Sequence, residues 1–124
     1  AFLRAAMAKA VRAGVLPGRI LIDPGLGFGK KRVHNLALLR HLGALRSLGR
    51  PILVGASRKS FLREDRNDPP GARLEAGLAA QALALAGGAD IIRTHDVREA
   101  ALVARLCDAV LRGPNEARGP IKKR

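Results

Sequence analysis

The sequence predicts an α/β fold built on a parallel sheet, and three observations predict it. Short apolar runs rich in Ile, Leu and Val at residues 19–23, 51–55 and 89–93 alternate with longer segments whose apolar residues recur at helical spacing. Each run is too continuous for a half-exposed alternating strand, so it is expected to lie buried between layers, as parallel strands do. Each run also ends, on its C-terminal side, in polar groups: Asp23, then Ser57-Arg58-Lys59, then Arg93-Thr94-His95-Asp96. Parallel β/α architectures deliver all these strand ends to one face, where binding sites are built.

The elements follow in order. A helix is expected over residues 1–13, a strand at 19–23, a second helix over 35–48 and a strand at 51–55. A third helix over 73–86, a strand at 89–93 and a last helix over 97–112 complete the series. Gly14, Gly49, Gly87 and Gly113 each close one helix, as glycine does where the chain must turn out of helical geometry. In the last helix Leu102, Leu106, Ala109 and Val110 share one face, while Arg98, Arg105, Asp108 and Arg112 share the other. Asp96 is placed to cap it, with Glu99 three residues on. Residues 1–112 thus read as one incomplete β/α domain, and 113–124, with two prolines, two glycines and a basic end, as a disordered tail.

A length of 124 residues with 48% hydrophobic content is enough for one packed core. Arg, Lys and Gly interrupt every apolar stretch before the roughly 18 residues that a spanning helix needs, so no membrane segment is expected. The start, Ala1 to Met7, is amphipathic, lacks the layout of a signal peptide, and reads as an internal edge of a longer chain. Cys107 stands alone and has no internal partner, which fits a reducing cytoplasm. The formal charge of +13 would attract polyanions. Nucleic acid is nevertheless the weaker reading: the arginines are scattered, Tyr and Trp are absent, and neither a helix-turn-helix nor a zinc pattern occurs.

The strand ends carry the chemistry. Asp23 opens Pro24-Gly25-Leu26-Gly27-Phe28-Gly29-Lys30, where alternating glycines permit close backbone approach around one aromatic ring. That loop is either a seat for a planar ligand or an ordinary glycine-rich connection with Phe28 buried; its spacing is not that of a dinucleotide fingerprint. Gly55-Ala56 leaves room beside Ser57, Arg58 and Lys59, two of them cations in a helix's first turn, where the helix dipole disfavours them. Arg93 and His95 alternate around Thr94, so both side chains fall on one face and can act together on a phosphate, unless His95 is instead satisfied by Asp96. His34 and His41 are assigned to a loop and a solvated helix face.

Taken together, Asp23-Pro24-Gly25-Leu26-Gly27-Phe28-Gly29-Lys30, Gly55-Ala56-Ser57-Arg58-Lys59-Ser60 and Ile91-Ile92-Arg93-Thr94-His95-Asp96-Val97 resemble the last three strand-end motifs of the dihydropteroate synthases. The resemblance runs from the first helix to about Leu111, with Gly77 where many members carry Ser or Thr and Thr94 in place of a common Val. It implies the C-terminal part, about strands six to eight with their helices, of a TIM (β/α)8 barrel. It implies condensation of 6-hydroxymethyl-7,8-dihydropterin pyrophosphate with p-aminobenzoate to give dihydropteroate and pyrophosphate. Asp23 and Lys59 would be the catalytic pair and, with Gly55 and Phe28, would hold the pterin. Arg93 and His95 would bind pyrophosphate, and Ser57, Arg58 and Phe28 would flank p-aminobenzoate, the subsite that sulfonamides occupy. Mg²⁺ would be held by ligands from the other half of the barrel, none of them in this chain, and the full-length enzyme would be a cytoplasmic homodimer. This chain alone is expected to be inactive and to self-associate or partly unfold. The alternatives are the pterin-binding domain of a folate-dependent methyltransferase and a non-catalytic fragment.

Overall fold

The computed structural model describes residues 2–63, 67, 69 and 73–113. Four α-helices are present: α1 (Phe2–Arg12), α2 (Arg32–Arg40), α3 (Leu74–Ala86) and α4 (Val97–Arg112). Two short strands, β1 (Leu53–Val54) and β2 (Ile91–Ile92), pair in parallel with Leu53 opposite Ile91 and Val54 opposite Ile92. The first apolar run joins them through a single parallel bridge, Ile22 to Ile52. The Ile22 N–H donates to the Pro51 carbonyl at 2.9 Å, and the Leu53 N–H donates to the Ile22 carbonyl at 2.8 Å. All three runs therefore lie side by side in sequence order, with β1 in the middle, but the strand expected at 19–23 is reduced to the single bridge at Ile22 and the other two to two residues each.

The core forms where these runs meet the helices. Ile22, Ile52 and Val54 pack with Leu26, Leu39, Leu42 and Phe61, and with Ala80, Ala84 and Ala89. α3 enters this core through small residues, Ala80 and Ala84. α1 buries no residue fully, but Leu3 and Met7, one turn apart, lean on the core and dock the helix. It ends at Gly14, whose φ of +94° is open to glycine and strained for most other residues; the Val15 N–H then reaches back to the Ala10 carbonyl at 3.1 Å.

Three local details differ from the sequence reading. The second helix begins at Arg32, and after His41 it tightens into a 3-10 segment, Leu42–Leu48. A Cβ at Gly43 would sit 3.5 Å from the Gly87 carbonyl, so this segment runs close against the end of α3. Gly87 stays in helical geometry, and Gly88, at φ +97°, makes the left-handed turn instead. Asp96 stands at the start of α4 but makes no side-chain cap, because its carboxylate is engaged elsewhere.

The apolar stripe of α4 lies open. Leu102, Leu106 and Val110 do share a stripe, yet they are 56%, 67% and 73% exposed. α4 packs on α3 through a different set, with Ala100 buried and Val103, Ala104 and Cys107 half-buried. An apolar helix face open to solvent is what an incomplete barrel, lacking the neighbours of its helices, would show. No helix among the described residues is long and apolar enough to cross a membrane. The expected tail lies, beyond Gly113, outside the described residues.

Candidate functional site

The glycine loop is built from within. Asp23 accepts the Gly25 N–H at 2.7 Å, and the Lys30 ammonium closes the other side on the carbonyls of Gly25 and Phe28, at 2.8 and 3.1 Å. Gly25, Gly27 and Gly29 all have positive φ, so the backbone winds tightly enough to leave Leu26 buried and Phe28 exposed. The Lys59 ammonium reaches into this loop, donating to the Leu26 carbonyl and lying 4.3 Å from the centre of the Phe28 ring. A Cβ on Gly27 would meet the Lys59 stem at 2.7 Å, so only glycine lets the two approach this closely. Phe28 is therefore not a buried loop residue; it faces a cation at the open side of the sheet.

Burial lowers the proton affinity of Lys59, Asp23 opposes that change, and Arg93 and Lys30 reinforce it. One carboxylate and two further cations are thus near enough to act on Lys59. A cavity of about 140 Å³ opens between the strand ends, lined by Gly55, Ser57, Lys59, Arg93, Thr94 and His95. Arg93 folds across Gly55, where a Cβ would come within 3.2 Å of its Nε. The His95 Nδ1 is 3.0 Å from the Ser57 hydroxyl, which also accepts the His95 N–H at 3.2 Å. His95 is therefore tied to Ser57 rather than to Asp96.

Asp96 serves Arg58. The guanidinium Nη2 donates to Oδ1 at 2.6 Å and Nε donates to Oδ2 at 3.3 Å, with the Ser57 hydroxyl donating to the same oxygen at 3.4 Å. Arg58 has φ +58°, an uncommon backbone conformation outside glycine, and the buried Arg73 donates to its carbonyl at 2.7 Å. Arg58 is thus held at both ends, with its side chain beside the cavity rather than lining it.

This pairing sets an acid dependence. Hydrogen bonding from Arg58 holds the Asp96 carboxyl below its ordinary value; partial desolvation opposes this, while the charges of Arg58 and His95 and the Ser57 bond add to it. A carboxyl depressed on folding contributes stability above its unfolded value, about 4, and loses it as pH falls through the lower folded value. Thermal unfolding between pH 5 and 2 is expected to show the advantage of the wild-type chain over Asp96→Asn shrinking as pH falls. A difference that stays constant across that range would count against the coupling.

The structure gathers Lys59, Gly55, Ser57, Arg93 and His95 at one cavity, with Asp23 and Phe28 on the adjoining loop and Arg58 on its rim. The sequence reading missed Asn35 and Arg73, both buried beside the site. Arg73 gave a faint signal, since a cation is unfavourable at a helix start, whereas Asn35 stood at the expected start of the second helix, where Asn is ordinary. Among the described residues no three His, Cys, Asp or Glu side chains gather as a metal-ligand set.

A parallel β/α unit with a carboxylate, anion-attracting side chains and a glycine-wound aromatic at its strand ends has groups whose chemistry would suit a planar, anionic small molecule. The chain matches the family described as pterin binding enzyme over residues 1–95, and it belongs to that family. It is 45% identical over 112 residues to the dihydropteroate synthase of Synechocystis sp., covering 90% of this chain and 39% of that protein. With the dihydropteroate synthase of Mycobacterium leprae it shares 48% over 102 residues, 77% of this chain and 36% of that one. The Yersinia pestis dihydropteroate synthase structure superposes with a TM-score of 0.85 at 39% identity, over 90% of this chain and 52% of that chain. The Xanthomonas albilineans enzyme, solved with 4-aminobenzoic acid, gives 0.85 and 39% over 91% and 42%. The chain spans about two-fifths of the length of the curated relatives it matches.

Proposed function

We propose that this chain is the C-terminal part of a dihydropteroate synthase, contributing about strands six to eight of an eight-stranded barrel. The observation that carries the reading is the shared cavity, which brings Lys59, Arg93, His95 and Ser57 together beside the Asp23 loop. The open side of β2 supports the barrel: a cavity of about 380 Å³ runs along it, lined in part by Ile92, Val97, Ala100, Ala101 and Ala104. A further strand and helix would fill that groove and cover α4. The exposed stripe of α4 also supports assembly, and the complete enzyme is proposed to be a cytoplasmic homodimer.

Asp23 and Lys59 hold the pterin, Asp23 accepting from its amino-pyrimidine edge and balancing positive charge that develops there. Gly55 and Phe28 bound the ring. Arg93 and His95 take the pyrophosphate, the guanidinium matching two oxygens at once. Ser57, Arg58 and Phe28 flank p-aminobenzoate, and because the Arg58 charge is met by Asp96, Arg58 acts there by fixing the loop that presents Ser57. The amine nitrogen attacks the pterin methylene carbon, the carbon–oxygen bond to pyrophosphate breaks with its electron pair, and the amine loses a proton. Alignment of the two substrates and stabilisation of the departing charge supply the acceleration, with no covalent enzyme intermediate. Mg²⁺ would assist the leaving group from ligands in the other half of the barrel, since among the described residues no three His, Cys, Asp or Glu side chains gather to hold it.

Calorimetric titration of the folded chain with dihydropterin pyrophosphate is expected to show binding that inorganic pyrophosphate displaces. A pterin-binding methyltransferase domain would bind the pterin without that displacement. Absence of any binding by a folded chain would overturn the assignment of a working pterin site to these strand ends.

A further inference from the structure

We propose that Asn35 is a positioning residue for this site: it holds the glycine loop in the shape that sets the Leu26 carbonyl and the Phe28 ring against Lys59. The inference rests on the reading of Asp23 and Lys59 as pterin-binding groups. Asn35 is 0% exposed. A polar side chain in that position has to be fully hydrogen-bonded, and it is. Its Oδ1 accepts the Gly27 N–H at 2.7 Å, and its Nδ2 donates to the carbonyls of Lys30 and Lys31 at 3.3 and 3.0 Å.

The needs of the helix do not account for this residue. α2 starts at Arg32, with Lys31 at the cap position making no side-chain cap, and Asn35 lies inside the helix, where Asn is a poor choice. What Asn35 reaches is the middle of the glycine loop. Gly27 lies between Leu26, whose carbonyl accepts from Lys59, and Phe28, whose ring faces the same ammonium. Gly27 itself, at φ +81°, lies against the Lys59 stem. One hydrogen bond thus connects a core amide to three points of contact with Lys59. The competing anchor is Leu26, buried to 1% exposure, and if its packing alone set the loop, loss of the Asn35 amide would leave Lys59 in place.

Asn35→Ala and Asn35→Asp in the 124-residue chain separate these cases. Each is titrated with dihydropterin pyrophosphate and, separately, with inorganic pyrophosphate, and exchange of the Gly27 amide hydrogen is followed by NMR. Asn35→Ala is expected to lose about tenfold in pterin affinity, the order of one hydrogen bond, and to speed Gly27 exchange by a similar factor. Inorganic pyrophosphate affinity should stay within about twofold, because Arg93 and His95 belong to another strand end. Asn35→Asp keeps the acceptor for Gly27 but loses both donations to Lys30 and Lys31 and buries a carboxylate, so Gly27 exchange should be slower than in Asn35→Ala while the fold is less stable than wild type. Unchanged pterin affinity and Gly27 exchange in Asn35→Ala overturn the proposal. Equal loss of both ligands, or unfolding of both variants, also overturns it, since Asn35 would then be a structural residue only. If the unaltered chain binds neither ligand, the pterin-site reading fails, and the Gly27 exchange rates still decide whether Asn35 holds the loop.

Discussion

Lys59→Met is expected to weaken dihydropterin pyrophosphate binding by about 10- to 100-fold, the range for losing one charged hydrogen bond. Methionine is chosen because it keeps an unbranched apolar stem of similar length along Gly27, against which the lysine stem is closely packed. The change therefore removes the ammonium while leaving the loop its packing partner. In the free chain that ammonium is directed at the Leu26 carbonyl and the Phe28 ring, and it is already disfavoured by burial and by the nearby cations Arg93 and Lys30. A ligand that offers it a better acceptor relieves that unfavourable setting, so much of the binding energy should depend on it. Titration calorimetry of the two folded chains decides the matter. Affinities within twofold of each other would remove Lys59 from the site.

Arg93→Ala should produce a comparable loss, and one that affects a different part of the ligand. The guanidinium lies over Gly55 at the mouth of the cavity shared with His95 and Ser57, where two oxygens of a phosphate could be met at once. Losing one such bond costs about 1.5–3 kcal/mol, equivalent to roughly 10- to 100-fold in affinity. Inorganic pyrophosphate should weaken by that factor, whereas a pterin lacking phosphate should bind within about twofold of wild type. Arg93→Lys should restore little, because a single ammonium lacks the planar fork. Rising salt should also narrow the difference between wild type and Arg93→Ala, since this charge is exposed. If Arg93→Ala instead weakened both ligands equally, the arginine would be supporting Gly55 and β1 rather than binding an anion.

The two replacements act on groups that the sequence already marked, because strand ends are legible from pattern alone. The run ending at Ile92 marks Arg93 and His95 as strand-end groups, although they lie beyond β2 and Thr94 lines the same cavity, so strand alternation is not what brings them together. The glycines around Phe28 were marked in the same way. The role of Asp96 was not legible in this way. By position it is a helix cap, and by contact it is the partner of Arg58, 38 residues away in sequence. Capping is a local property that three or four residues predict, whereas an ion pair depends on how two loops lie beside each other in space. Asn35 was hidden for the same reason, since its hydrogen bond to Gly27 joins a helix interior to a loop.

By itself the sequence determined the order of helices and strands, their parallel arrangement and the set of polar groups at the strand ends. Those follow from hydrophobic period, run length and glycine position, which act over a few residues at a time. Only the tertiary structure decided that Phe28 faces Lys59, that His95 turns to Ser57, and that Leu102, Leu106 and Val110 point into solvent. Periodicity says that a face is apolar and not what covers it, and α4 meets α3 through its small residues instead. Side-chain pairing across distant segments depends on the packing of the whole body, which no local pattern contains.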